Sequence, residues 1–156
     1  MIAIDIPGFG HLALRHLVLD FNGTLACDGA LLPGVVDRII GLSLQLDVHV
    51  LTANTTGTSV SALAGLPLTL TVLDGPPEDE AKLAYVKNLG AESCASVGNG
   101  LNDRLMLEAC ALGIAVIGPE CTAAKILTAA DIIAPGITEA LDMLLHPVRL
   151  LATLRS

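Results

Sequence analysis

The apolar run His16-Leu17-Val18-Leu19 closes on Asp20, and Phe21-Asn22-Gly23-Thr24 follows. A carboxylate in that position packs poorly, so it either caps a turn or faces a ligand. Other oxygen-bearing side chains stand just after later apolar runs. Thr52 and Asn54 follow Val48–Leu51, and Asn99, Asn102 and Asp103 follow Ser93–Val97. In a doubly wound α/β sheet, ligands gather at the carboxyl ends of the strands, where these residues lie. Each also has a purely structural reading. Thr52 can be an N-cap, Asn102 or Asp103 can cap the helix they begin, and Lys82 can pair on a solvated helix face with Glu78, four residues before it.

Taken together, the set is more specific than its members. Asp20-Phe21-Asn22-Gly23-Thr24-Leu25, then Thr52, then Lys82, then Gly98-Asn99-Gly100-Leu101-Asn102-Asp103 occur in that order. This resembles the four motifs of the haloacid dehalogenase superfamily of phosphotransferases. Within it, the stretch Val97–Val116 looks most like P-type ATPases and their small soluble relatives. The resemblance implies that Asp20 is a nucleophile that attacks phosphorus and becomes an aspartyl phosphate, splitting one hard displacement into two easier ones. It implies that Thr52, Asn54, Gly23 and Lys82 (with Lys87 as the alternative lysine) cradle the phosphoryl group. It assigns Mg2+ to Asp20, Asp103, the Asn22 backbone carbonyl and the neighbourhood of Asn99, a hard-oxygen site completed by water and substrate phosphate.

Two positions depart from the pattern. Phosphatases of this superfamily carry a second Asp two residues after the nucleophile as general acid and base; here it is Asn22. An amide can orient water but has no useful proton affinity near neutral pH, and general acid–base catalysis is typically a factor of about 10²–10⁴. Asn99 likewise stands where an acid is usual, which removes one carboxylate from the metal's surroundings. The expected function is therefore a slow Mg2+-dependent phosphohydrolase, with a non-catalytic phosphate- and Mg2+-binding regulator as the alternative. The substrate is a phosphorylated small molecule or phosphoprotein.

The elements that must position these residues follow from periodicity and punctuation. Met1–Ile6, broken by Pro7-Gly8-Phe9-Gly10 and resumed by His11–Leu19, predicts a hairpin feeding a longer strand that ends at Asp20. Asp28-Gly29 between two short apolar runs predicts a small flap hairpin. Pro33-Gly34 opens a helix to about Leu46, with Val35, Ile39, Leu42 and Leu46 on one stripe. Strands are expected at Val48–Leu51, Leu68–Leu73, Ser93–Val97, Gly113–Ile117 and Asp131–Ala134. Helices are expected at Thr58–Leu66, Glu78–Leu89 with Gly90 as its stop, Asn102–Leu112, Thr122–Ala129 and Thr138–Leu145, where Pro147 breaks the chain. Glu78, Asp79 and Glu80 read as acids at the positive end of a helix dipole. The alternation predicts one α/β domain over residues 1–156 with a single Rossmann-like, doubly wound, mainly parallel sheet. Only 31 residues separate Asp20 from Thr52, enough for the flap and a helix but not a cap domain.

Composition excludes several other functions. The chain has 156 residues, 53% of them hydrophobic, and a mean hydropathy of +0.69, yet it contains no run of 18 apolar residues. A membrane-spanning role is not expected. A net charge of −8 and three aromatics argue against nucleic acid as a partner. The four scattered cysteines read as core thiols of a reducing cytoplasm. With 15% charged residues the polar coat is thin, so a homo-oligomer is expected.

Overall fold

In a computed structural model, described for residues 1–53, 57–73, 75 and 77–156, six strands form one wholly parallel sheet. In chain order the elements are β1 (Ile2–Ile6), β2 (Gly10–Leu14), β3 (His16–Asp20), β4 (Ala26–Cys27), β5 (Ala30–Leu31), α1 (Val35–Ser43), β6 (Asp47–Thr52), α2 (Thr58–Leu63), β7 (Thr69–Val72), α3 (Glu78–Leu89), β8 (Cys94–Gly98), α4 (Arg104–Ala109), β9 (Leu112–Val116), β10 (Ile132–Ala134), α5 (Ile137–Leu145) and α6 (Pro147–Leu154). The sheet order is β10-β9-β8-β3-β6-β7. From β3 the chain builds outward through β6 and β7, then returns to β3's other edge and builds through β8, β9 and β10. The loops after β3 and β8 therefore diverge, leaving a crevice at the switch point.

Near-continuous apolar strands are what a sheet covered on both faces requires. Leu17 and Leu19 of β3 pack with Val35, Ile39 and Leu42 of α1 and with Leu141 and Leu144 of α5. Val18, on the opposite face, packs with Val86 of α3 and Met106 of α4. Arg38 of α1 adds a bidentate ion pair to Asp142 of α5, at 2.8 and 3.0 Å.

The flap hairpin forms as expected, with Asp28 and Gly29 both at positive φ in its turn. Four expectations need correction. The run His11–Leu19 is two strands: β2 pairs only with β1, while β3 enters the main sheet. The change falls at Arg15, whose N–H donates to Ser93 O and whose carbonyl accepts from Asp47 N, the residues leading β8 and β6. α5 ends at Leu145, before Pro147, but the expected short tail is itself a helix: Pro147 starts α6, because at a first helical position its missing N–H costs nothing. The expected helix at 102–112 is a single 3-10 turn (Leu101–Asp103) followed by α4, and Leu112 already belongs to β9. The expected helix at 122–129 reduces to a 3-10 turn over Ala124–Ile126. Ahead of that turn, Ala123 N is bonded to Asn99 O, and Thr122 Oγ1 donates to Val116 O at 2.7 Å.

Gly113 of β9 sits against the backbone of α4; a Cβ there would lie 2.5 Å from the Leu107 carbonyl oxygen. Neither element can yield without opening the layer between them. Gly113→Ala is expected to cost about 1–3 kcal/mol, as overpacking does, lowering the thermal midpoint by roughly 2–10 °C; a calorimetric melt checks this.

Candidate active site

Asp20 is the last residue of β3 and Asp103 ends the 3-10 turn after β8, so neighbouring strands deliver two carboxylates to the crevice. Lys82 reaches them from the first turns of α3. Its Nζ lies 2.6 Å from Asp20 Oδ1 and 2.6 Å from Asp103 Oδ1. All three side chains are buried, Lys82 at 1% exposure and Asp103 at 0%. Burial alone would lower the lysine's proton affinity, but the charges of Asp20 and Asp103 outweigh it and hold the ammonium above the ordinary lysine range. One ammonium against two carboxylates leaves an uncompensated negative charge. Burial, and then repulsion from Asp103, push the Asp20 carboxyl up to about 7 against the pull of Lys82.

Hydrogen bonds from the flanking loops fix this trio. Thr24 Oγ1 lies 3.2 Å from Asp20 Oδ2 and 3.1 Å from Asn99 Oδ1, so one buried hydroxyl bridges the loops after β3 and β8. Asp103 Oδ2 accepts the N–H groups of Asn99 and Gly100 at 3.0 and 2.9 Å. The Asn99 amide donates to Cys121 O at 2.9 Å. Gly23, at φ +77°, is packed so closely that a Cβ would collide with the Asn99 carboxamide.

The expected residues divide accordingly. Asp20, Asn22 and Asn99 line an open cavity of about 450 Å³, together with Ala53, Glu78, Gly100 and Asn102. Thr52 is buried at the end of β6, directly before Ala53; Asn54 lies outside the described residues. Lys82 is the lysine of the site, since Lys87 is exposed further along α3. Asp103, expected as a metal ligand, does not line the cavity. Lys82 and two backbone N–H groups occupy its oxygens, so its place is beneath the site, aligning Lys82 and the 98–103 loop. Sequence reading passed over Glu78, which faces the cavity and accepts from Asn102 Nδ2 at 2.6 Å. Three acids in a row at a helix start hid it, and only the fold separates the one that faces inward.

No family model matches the chain. An uncharacterized protein of Methanocaldococcus jannaschii is 42% identical over 82 residues, which are half of this chain and 88% of that protein. Among solved structures, the cobalt-bound deoxy-D-mannose-octulosonate 8-phosphate phosphatase of Haemophilus influenzae superposes with a TM-score of 0.71 at 18% identity, over 88% of this chain and 90% of that one. The Moraxella catarrhalis 3-deoxy-D-manno-octulosonate 8-phosphate phosphatase, solved with magnesium, phosphate and its sugar, gives 0.67 at 16% identity, over 92% and 94%. A putative HAD family hydrolase from Streptomyces avermitilis gives 0.68 at 18% identity, over 84% and 83%. The chain belongs to the family of the Methanocaldococcus protein and has the haloacid dehalogenase fold.

On this haloacid dehalogenase fold, the residues lining the cavity offer oxygens of the kind a hard divalent cation takes: the carboxylate of Asp20 and the amide and backbone oxygens of Asn22 and Asn99. The surplus negative charge of the Asp20–Lys82–Asp103 trio favours such an ion. Without a metal, Asp103 is bonded to Lys82 and to two backbone N–H groups, and Asn99 presents an amide where an acid is usual.

The raised Asp20 group makes a linkage prediction. A protonated Asp20 contributes stability that is full below its unfolded value of 3.8 and is lost as pH rises through about 7. In metal-free protein, Asp20→Asn is therefore expected to raise the thermal midpoint by several degrees at pH 8, with the gain closing toward pH 4. Paired melts in chelator across that range measure it.

Proposed function

We propose that the protein is a Mg2+-dependent phosphohydrolase that works through an aspartyl phosphate on Asp20. The observation that carries this reading is the buried Asp20–Lys82–Asp103 trio, with Asp20 opening onto the cavity. The similarity of Val97–Val116 to P-type ATPases, which also phosphorylate an aspartate, supports the same reading. The cobalt- and magnesium-bound phosphatases of the same fold support a divalent metal and a phosphorylated small molecule. Mg2+, held by Asp20, the Asn22 carbonyl and Asn99, would offset charge on the phosphoryl oxygens and favour ionised Asp20.

The chain's own groups do the rest. Thr24 and Lys82 hold the Asp20 carboxylate in one rotamer. One of its oxygens attacks phosphorus, the bond to the leaving oxygen breaks, and Lys82 balances the added negative charge. Thr52 and Asn54 are the proposed hydrogen-bond partners of the phosphoryl oxygens. In the second step water attacks the acyl phosphate and must lose a proton. Asn22 cannot accept it, so this step is slow. Nor can Asn22 protonate a departing alkoxide, so leaving groups that depart as stable anions are favoured: carboxylates from acyl phosphates and phenolates from aryl phosphates. The absence of a cap between Asp20 and Thr52, where only the flap and α1 intervene, suits an exposed phosphate on a small molecule or a protein.

A second reading, a regulator that binds phosphate and Mg2+ without turnover, is favoured by the amides Asn22 and Asn99. We place the protein in the cytoplasm; among the described residues no helix is long and apolar enough to cross a membrane. We also propose a homo-oligomer. Val36, Ile40 and Leu44 form an exposed apolar stripe along α1 and its C-cap, facing away from the core.

Acetyl phosphate with Mg2+ is expected to leave a lasting phosphoenzyme, visible by intact mass and absent in Asp20→Asn. Asn22→Asp should then raise steady-state turnover by up to about 10²-fold. If no phosphoenzyme forms and Asn22→Asp changes nothing, the regulator is the better account. Among substrates, kcat/KM should fall steeply with leaving-group pKa in the wild type, and the slope should flatten in Asn22→Asp; a series of aryl and alkyl phosphates gives both slopes.

A further inference from the structure

One acid in the wall of the Asp20 cavity has no part in the phosphoryl chemistry. Glu78 opens α3 four residues before Lys82, so the two side chains share a face of the helix, one turn or about 5.4 Å apart. Lys82 is buried against Asp20, whereas Glu78 is half-buried and lines the cavity, so Glu78 stands nearer the mouth. Its Oε2 accepts from Asn102 Nδ2 at 2.6 Å, which fixes the carboxylate against the loop after β8. Gly100 leaves room for this bond, since a Cβ there would lie 2.4 Å from Asn102 Oδ1. Among the described residues, neither Glu78 Oε1 nor Asn102 Oδ1 has a hydrogen-bond partner, and no Lys, Arg or His lines the cavity.

We propose that Glu78, aligned by Asn102, selects the leaving group of the substrate, favouring phosphates whose leaving group carries an ammonium over those that carry a carboxylate. This rests on the reading of Asp20 as the residue that accepts the phosphoryl group. In-line displacement puts the leaving oxygen on the side of phosphorus opposite the attacking Asp20 oxygen. The leaving group therefore extends toward the mouth of the cavity, along the wall that Glu78 and Asn102 build. A carboxylate there attracts a cation and repels an anion, and two acceptors without partners suit the several N–H donors of an ammonium. Nothing in the lining offsets that charge. Lys82 is committed to Asp20 and Asp103, and Arg104 and Lys125 border a different cavity together with Asp79. The preference is compatible with a leaving oxygen that departs as a stable anion, since aminoacyl phosphates and aminomethyl-substituted aryl phosphates combine the two features.

Non-hydrolysable phosphonates read this selection without turnover. In excess Mg2+, calorimetry is expected to show 4-(aminomethyl)benzylphosphonate binding roughly tenfold more tightly than 4-carboxybenzylphosphonate, attraction of one and repulsion of the other each being a fewfold effect at a half-exposed carboxylate. Uncharged 4-methylbenzylphosphonate should fall between them. Glu78→Gln, which keeps the shape and an acceptor for Asn102, should bring the two charged ligands within about twofold of each other and leave the uncharged one in place. In the wild type, raising the salt concentration should narrow the same gap, a readout that needs no variant. Equal binding of the charged pair by the wild type, a preference that survives Glu78→Gln, or no binding of any of the three would overturn the proposal. So would an equal loss of all three in Glu78→Gln with a raised Mg2+ requirement, which would make Glu78 a metal ligand. Failure of the phosphohydrolase reading shows separately, as an absent phosphoenzyme, and leaves the phosphonate preference readable.

Discussion

A single ammonium between two buried carboxylates organises this molecule. Lys82 ties α3 to the end of β3 through Asp20 and to the loop after β8 through Asp103. Three segments distant in sequence thus meet at one nitrogen. Removing Lys82 would leave two buried carboxylates without their counter-charge, typically a cost of about 3–5 kcal/mol. The trio is also deliberately unbalanced. Burial, and then this spare negative charge, raise Asp20's proton affinity, and the charge makes the cavity a place where a cation is welcome and an unaccompanied phosphate is not.

The fold supplies what such a group needs. A sheet buried on both faces excludes water from beneath the trio, and the switch point between β3 and β8 opens a route by which a ligand can approach. Thr24 then joins the two diverging loops through a hydroxyl that is 1% exposed. The segment after β9 is drawn in as well, because Asn99 holds it from both its amide and its carbonyl. Sacrificing a helical turn at 122–129 keeps the floor of the site continuous.

Much of this was legible in the residues. Asp20 at the end of a buried run, the Asp28-Gly29 turn and the Gly90 stop all declare themselves locally, since strand ends, tight turns and helix caps depend on neighbours in sequence. Asp103 shows what local reading leaves open. Two acids near a phosphate site look equivalent on paper, but one faces the cavity while the other is consumed by Lys82 and two N–H groups. Glu78 is the converse, a residue whose helix-start position explains it adequately until the fold turns it inward. The strand break at Arg15 and the helix that Pro147 begins escape local reading, because both depend on partners that only the tertiary arrangement supplies.

The loops at Asn22-Gly23 and Asn99-Gly100 carry one more consequence. Asparagine before glycine ages by cyclisation: the glycine nitrogen attacks the side-chain amide, ammonia departs, and the imide opens to aspartate or isoaspartate. Here both nitrogens are engaged, Gly23 N with Ala26 O at 2.8 Å and Gly100 N with Asp103 Oδ2 at 2.9 Å. The Asn99 carboxamide is also held away by Cys121 O. Folding thus sets the chemical lifetime of these amides. An intact molecule keeps its two asparagines, while a chain that spends time unfolded drifts toward acids at both positions.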